Sequence, residues 1–286
     1  MIYKVDTSQR CIKLKSEIVY LKKEIKRLRK TLKIYTPDLK TILKRRGFHI
    51  YKKEPSEDLL IPVAQSHIDE FYNKLKKYSF RLFLRDVIKY QNHFTLQQVS
   101  RYANRNITMQ YLNYLKEIDL IEETTGGYRL IKRPIKSFGE TLEWFISKLM
   151  EKEYGADSIW GIKFKRPLVG GDYDLIARVD SSILYMEIKS SPPKQIYDKE
   201  ISAFLNRVDD LSPEISIFFV DTELRMKDKI VPMFEAELSR RGRRTTPVER
   251  LKKEMFHIEG KMFIINSKGS IAANIGTVLS FYFRRD

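Results

Sequence analysis

Two carboxylates and one lysine stand where neighbouring strands would gather them. The apolar runs 173–179 and 182–189 are joined by Asp180-Ser181-Ser182, so they should fold as an antiparallel hairpin with Asp174 and Glu187 near the same end. Side chains alternate faces along a strand, so Glu187 and Lys189 point the same way and Ile188 turns to the core. Two acids beside an amine offer hard oxygen donors to a divalent cation such as Mg²⁺ and a fixed positive charge next to it. The plain alternative is a surface ion-pair cluster worth about 0 to 1 kcal/mol. Glu-x-Lys also occurs at Glu24-Ile25-Lys26 and Glu259-Gly260-Lys261, but only Glu187-Ile188-Lys189 ends an apolar strand, Ile183 to Met186. Asp172, two residues before Asp174, shares its face and competes for its role. Asp174 is favoured because Leu175-Ile176-Ala177 follows it directly and buries the strand.

The elements that must carry these residues alternate in type. Residues 138–153 read as a helix, followed by strands at 160–166, 173–179 and 182–189, a helix at 195–209 and a strand at 215–220. A helix from Glu223 to Arg240, a strand Lys261–Ile265 and a last helix from about Ile271 complete the chain, with Gly242 to Pro247 as a basic loop. The order αβββαβ, with an additional αβα, implies an α/β fold built on a mixed central sheet.

The run Gly170-Gly171-Asp172-Tyr173-Asp174-Leu175-Ile176-Ala177, then Tyr185-Met186-Glu187-Ile188-Lys189-Ser190, resembles the core motif of the PD-(D/E)XK nuclease superfamily. The nearest likeness is to the branch of archaeal Holliday-junction resolvases and RecB-type nuclease domains. It covers about residues 137–220 and includes the element order, although the proline that commonly precedes the Asp is absent. The resemblance implies a restriction-endonuclease-like αβββαβ core and metal-dependent hydrolysis of phosphodiester bonds. Asp174, Glu187 and the backbone carbonyl of Ile188 would then hold Mg²⁺ or Mn²⁺, and Lys189 would orient the attacking water and meet the developing charge. The family's first helix often adds an acid. Glu140 and Glu143 share a helix face here; Glu143 is preferred and Glu140 stays open. Gln195 corresponds to a glutamine that RecB-type members place near the site.

The first half reads differently. Leu14, Ile18, Leu21, Ile25, Leu28 and Leu32 recur at steps of 4 and 3. With Ile18, Ile25 and Leu32 at a and the other three at d, this is the choice that favours two parallel strands, which makes a homodimer attractive; the plain alternative is an amphipathic helix that packs this stripe on its own domain. Residues 1–55 hold 17 Lys+Arg against 5 Asp+Glu, so most of the basic excess lies there. A short helix from Thr36-Pro37-Asp38 to Arg46, a hairpin of 48–53 with 59–62, and a helix from Ser66 to about Tyr90 should follow. Thr95-Leu96-Gln97-Gln98 matches a capping box opening a helix to Tyr102. A second helix, 107–118, and strands 120–123 and 128–132 around Thr124-Thr125-Gly126-Gly127 then give the order of a winged helix-turn-helix. Tyr111, Leu112, Leu115 and Ile118 should face inward, leaving Thr108, Gln110, Asn113 and Lys116 free for a DNA groove, with Arg129, Lys132 and Arg133 on the wing for phosphates.

The 286 residues carry 54 Lys+Arg against 37 Asp+Glu, a formal charge of +17, which points to a polyanionic partner such as nucleic acid or an anionic membrane surface. The single cysteine, Cys11, excludes internal disulfides and zinc fingers, and four scattered histidines leave carboxylates as the metal donors. No signal peptide and no membrane span is legible, so the expected compartment is the cytoplasm, or the nucleoid when DNA-bound. Three parts are expected: a basic heptad helix at 1–35, a helical region with the winged helix-turn-helix at 36–135, and the nuclease-like domain at 136–286. The expected activity is Mg²⁺-dependent cleavage of DNA, serving repair, restriction or defence. The alternatives are an inert DNA-binding regulator or scaffold and an RNA nuclease with the same site.

Overall fold

The computed structural model describes residues 7–35, 37–165, 169–242 and 246–284, so 243–245 of the expected basic loop lie outside it, as does the side chain of Leu32. The chain divides into two units, residues 1–48 and 49–286. In the first, the heptad segment is one helix, α1 (Thr7–Tyr35). A second, α2 (Leu39–Arg45), is capped by Asp38, whose Oδ1 accepts from the Thr41 N–H at 2.8 Å. Leu14, Ile18, Leu21, Ile25 and Leu28 are each 48–53% exposed along α1.

The second unit is a mixed α/β structure. It opens with β1 (Ile50–Lys52), α3 (Ile68–Leu75), α4 (Tyr78–Lys89), α5 (Leu96–Val99), α6 (Arg105–Glu117) and the strands β2 (Ile121–Thr124) and β3 (Gly127–Leu130). It continues with α7 (Gly139–Tyr154), β4 (Asp157–Phe164), β5 (Tyr173–Val179), β6 (Ser182–Lys189), α8 (Asp198–Leu211) and β7 (Ile215–Val220). The last elements are α9 (Ile230–Arg240), β8 (Glu249–Lys252), β9 (Met255–Ile258), β10 (Met262–Asn266) and α10 (Ile271–Phe283). Eight strands form one sheet in the order β1-β4-β5-β6-β7-β10-β9-β8. β4, β5 and β6 are antiparallel neighbours, whereas β6, β7 and β10 run parallel.

The period-2 alternation of β5 and β6 sorts the residues onto two faces. On one, Phe204 of α8 lies between the rings of Tyr185, Phe218 and Phe234, at centroid distances of 5.7, 5.3 and 5.9 Å, so α8 and α9 cover that face. On the other, Leu175, Ala177, Leu184, Met186, Ile217 and Phe219 share a core with Trp144, Phe145 and Leu149 of α7. The same core continues into α3, where Phe71 meets Trp144 at 6.2 Å and Tyr72 meets Phe145 at 5.5 Å.

Several local expectations are corrected. The hairpin of 48–53 with 59–62 does not form; β1 instead pairs antiparallel with the edge of β4, Ile50 opposite Phe164. The chain after it finds partners on α7: the Asp58 N–H donates to Glu140 Oε2 and the Leu60 N–H to Thr141 Oγ1, each at 2.9 Å. The single helix expected over 66–90 breaks between α3 and α4. There the buried Arg81 guanidinium donates to the carbonyls of Leu75 (2.8 Å) and Lys76 (3.2 Å), satisfying the last turn of α3. The helix expected from Glu223 starts only at Ile230, because the preceding segment is tied down by Asn266 to Leu224 O at 3.0 Å and by Glu254 to the Met226 N–H at 2.9 Å. The β8–β9 hairpin carries no glycine or asparagine signal; its turn is made with Lys253 at φ +51°. The capping box at Thr95 and Gln98 forms. Thr108, expected on the open face of α6, is buried with Tyr111, Leu112 and Leu115, and its Oγ1 donates to Asn104 O at 3.0 Å. A threonine at that helical spacing satisfies its hydroxyl within its own helix and packs its methyl inward.

Candidate active site

The hairpin of β5 and β6 pairs Leu175 with Met186 and Ile176 with Tyr185, which sets Asp174 directly opposite Glu187. Asp174 Oδ2 accepts from the Ile188 N–H at 2.7 Å. Glu187 is buried, and its two oxygens are divided between cations: Lys189 Nζ is 2.8 Å from Oε1 and Arg207 Nη1 is 2.9 Å from Oε2. The Tyr185 hydroxyl also donates to Glu187 Oε2. Lys189 reaches toward Glu200 Oε1 of α8 at 3.7 Å.

Glu143 comes to this pair from α7. β4 makes room for it, because Gly161 falls between the pairs Trp160–Leu175 and Ile162–Tyr173, opposite Asp174. A Cβ at Gly161 would stand 3.6 Å from Glu143 Oε2 and only 2.2 Å from Pro55 Cδ, and the residue sits at φ +56°. Gly161→Ala is therefore expected to destabilise the fold by about 1–3 kcal/mol, through the left-handed backbone and overpacking together. Chemical denaturation of the two proteins checks this.

The electrostatics follow from burial and crowding. Burial first, then the charge of Glu187, pushes the Asp174 carboxyl up to about 8. Burial also pushes Glu143 well above the carboxylate range, with Asp174, Glu140, Glu187 and Asp172 adding repulsion. Burial works against the charges of Lys189 and Arg207, yet Glu187 and Asp174 outweigh it and hold both firmly protonated. Burial and mutual repulsion thus favour the protonated forms of Asp174 and Glu143, and a divalent cation bound beside them would take the place of those protons.

The other expected residues are distributed as follows. Glu140 is used by the Asp58 N–H, so of the two α7 acids it is Glu143 whose carboxyl feels Asp174 and Glu187. Asp172 pairs with Lys163 at 3.0 Å. Gln195 stands exposed in a short 3-10 turn, Pro193–Gln195, before α8, where it lines a crevice with Arg85, Lys89, Tyr102, Lys136 and Ser190. On α6, Gln110 and Asn113 are exposed, while Lys116 pairs with Glu123 at 2.9 Å. Arg129 pairs with Glu122 at 2.6 Å, and Lys132 donates to the carbonyls of Ser56 (2.5 Å) and Leu59 (2.8 Å), so two of the three expected phosphate contacts have side-chain or backbone partners elsewhere in the chain. Arg133 donates to Leu130 O at 2.6 Å.

Three participants were not read from the sequence. Tyr185 was legible in principle, two residues before Glu187 on the same face. Arg207 lies 20 residues away on α8, with its guanidinium beside Gly171, whose backbone sits at φ +94°. The third is Asp221, at the end of β7, whose N–H donates to Lys189 O at 2.8 Å and whose carboxylate is gripped by Arg81 and Arg85 of α4.

Among the described residues, no three acidic, histidine or cysteine side chains are grouped to enclose a metal ion, and no helix is long and apolar enough to cross a membrane. No protein-family model matches the chain, and no curated protein sequence matches it. Among solved structures, it is similar to Can2 from Sulfobacillus thermosulfidooxidans in complex with cyclic tetra-adenylate. The identity is 14% and the TM-score 0.47, over 86% of this chain and 60% of that one. It is also similar to the protein VC1899 from Vibrio cholerae, at 16% identity and TM-score 0.35, over 62% of this chain and 47% of that one. The chain thus spans about 60% of the length of the first neighbour and about half that of the second.

Proposed function

We propose that the protein is a metal-dependent phosphodiesterase that cuts DNA, with a PD-(D/E)XK core at α7-β4-β5-β6-α8-β7 and a winged helix-turn-helix at α4 to β3 that holds the substrate. One observation carries the reading: Asp174 and Glu187 oppose each other on adjacent strands, with Lys189 2.8 Å from Glu187 and the buried Glu143 within reach of their charges.

The donors suit Mg²⁺ or Mn²⁺. Asp174, Glu187 and the Ile188 carbonyl are all oxygen ligands, and the upward push on Asp174 marks a carboxyl that a divalent cation would return to its ionised form. Mg²⁺ commonly takes one or two protein carboxylates and completes its shell with water and phosphate, so a pair is enough. When bound, the ion would polarise the scissile phosphate and lower the pKa of a water. The chain's own groups do the rest. Lys189, held protonated at the end of β6, meets charge developing on a phosphate oxygen. Arg207 and Tyr185 fix the Glu187 carboxylate, and Gln110 and Asn113 offer amides from α6 to a DNA groove.

A second reading, an inert DNA-binding scaffold, is favoured by one fact: Glu187 already has Lys189, Arg207 and Tyr185 for its oxygens. The deciding experiment incubates the full chain with labelled single-stranded, duplex and branched DNA and with RNA, in Mg²⁺, Mn²⁺ or chelator. Cleavage of DNA only where metal is present is the expected result. DNA binding indifferent to metal, with no strand cut, supports the scaffold, and cutting confined to RNA changes the substrate.

A further inference from the structure

The apolar stripe of α1 lies open, and the charges beside it are arranged in a register. In the heptad count that puts Ile18 and Ile25 at a and Leu14, Leu21 and Leu28 at d, the flanking e positions are Lys15, Lys22 and Arg29 and the g positions Glu17, Glu24 and Thr31. Five apolar side chains, each about half exposed over two full heptads, are a face that water does not favour.

We infer that two copies of this chain pair through α1 as a parallel, in-register, two-stranded coiled coil. Signs decide the orientation. In a parallel pair each g residue meets the e residue five positions later on the other helix. Glu17 then faces Lys22 and Glu24 faces Arg29, two attractive pairs against the one repulsive pair of Arg10 with Lys15 in the heptad of Cys11. An antiparallel pair sets g against g and e against e, so that glutamate opposes glutamate and lysine opposes lysine. Ile at a with Leu at d selects two strands over three or four. Glu24 is held on its own helix by Arg27, with Nε at 2.9 Å, so Glu17 and Lys22 form the cleaner test of register. A nucleic acid meets the remaining basic positions, such as Lys23 and Lys26, without covering the leucines, and a second copy covers them while leaving those lysines outward. The pairing stands apart from the cleavage chemistry, because every residue in it belongs to α1.

The test is the mass of the full chain in solution by light scattering, at low and physiological salt. The expected value is twice the 34.0 kDa of one chain. Ile18→Lys with Ile25→Lys should give single chains whose circular dichroism outside the lost α1 signal is unchanged. Glu17→Lys should weaken the dimer about 10-fold and Glu17→Lys with Lys22→Glu should restore it, the signature of a direct pair. Orientation is read from the only cysteine, Cys11, which by the same count is an a position one heptad before Ile18. Diamide, which takes up the two thiol hydrogens as a disulfide forms, should link two chains in the parallel register and none in Cys11→Ser. A mass of one chain at micromolar concentration, a dimer that survives the double lysine variant, or a dimer that diamide does not link would each overturn the inference. So would a single chain that binds anionic vesicles through this face.

Discussion

Lys189→Ala is expected to slow the proposed cleavage of labelled DNA in Mg²⁺ by at least about 10²-fold, the loss typical of removing one group that stabilises developing charge. Its Nζ lies 2.8 Å from Glu187 and 3.7 Å from Glu200, at a strand end where the side chain is still 19% exposed. Burial disfavours its charge and the neighbouring carboxylates restore it, so the group reaches a substrate as an ammonium. Lys189→Arg should not recover the rate, since a planar fork cannot stand in for a compact point charge at that spot. Asp174→Asn is the companion variant. An amide oxygen can still accept from the Ile188 N–H, so the hairpin keeps its bond while the charge that would hold a cation is gone. Deleting Glu187 is a poorer probe, because it leaves Lys189 and Arg207 facing each other without their acid. Lys194→Ala, an exposed lysine in the following turn, serves as the control and should cut at the normal rate. Cleavage undiminished in both Lys189→Ala and Asp174→Asn, with melting curves unchanged, would falsify the assigned site.

Asp221→Asn is expected to cost the fold about 3–5 kcal/mol, the loss seen when one partner of a buried ion pair is removed. In the native protein Arg81 and Asp221 are 1% and 0% exposed, joined through Nη2 to Oδ1 at 2.7 Å and Nε to Oδ2 at 3.0 Å, and Arg85 grips the same carboxylate. Burial raises the Asp221 carboxyl, but the two guanidiniums prevail and hold it below its ordinary value. Its stabilisation is therefore fully present above the unfolded carboxyl's titration near pH 4 and is lost as pH falls through the lower folded value. Thermal melts should accordingly show a drop on the order of 10 °C at pH 7, narrowing only in strongly acidic buffer. Arg81→Met combined with Asp221→Asn should recover part of the loss, because the penalty belongs to the charge left behind rather than to the missing bond. A drop within 2 °C of wild type would show that water reaches Arg81. The consequence extends beyond stability: the Asp221 N–H also holds the Lys189 carbonyl at 2.8 Å, so α4 braces the strand end that carries the lysine.

Local pattern was enough to bring Asp174, Glu187 and Lys189 to one face, because alternation along a strand and a tight turn act over a few residues, and β5 and β6 pair in the register those signals require. The capping box at Thr95 was readable for the same reason. Thr108 stands at the spacing of the 111, 112, 115 stripe, and that spacing prevails over its polarity because the hydroxyl's partner, Asn104 O, is itself local. Other features had no local signal. Glu143 is preferred over Glu140 from the sequence, but its surroundings are not legible there: the Asp58 N–H occupies Glu140, and Gly161 opens a gap in β4. Arg207 joins Glu187 across 20 residues, Arg81 joins Asp221 across 140, and β1 pairs with a strand more than a hundred positions on. Such partners are chosen by which surfaces meet once the helices pack on the sheet. A buried guanidinium or carboxylate looks, in a string of letters, like any solvated charge. Chain order and short-range periodicity therefore account for the strands, the helices and the acid-acid-lysine grouping. Three-dimensional packing alone settled which charges are buried, which are paired, and how far their proton affinities move.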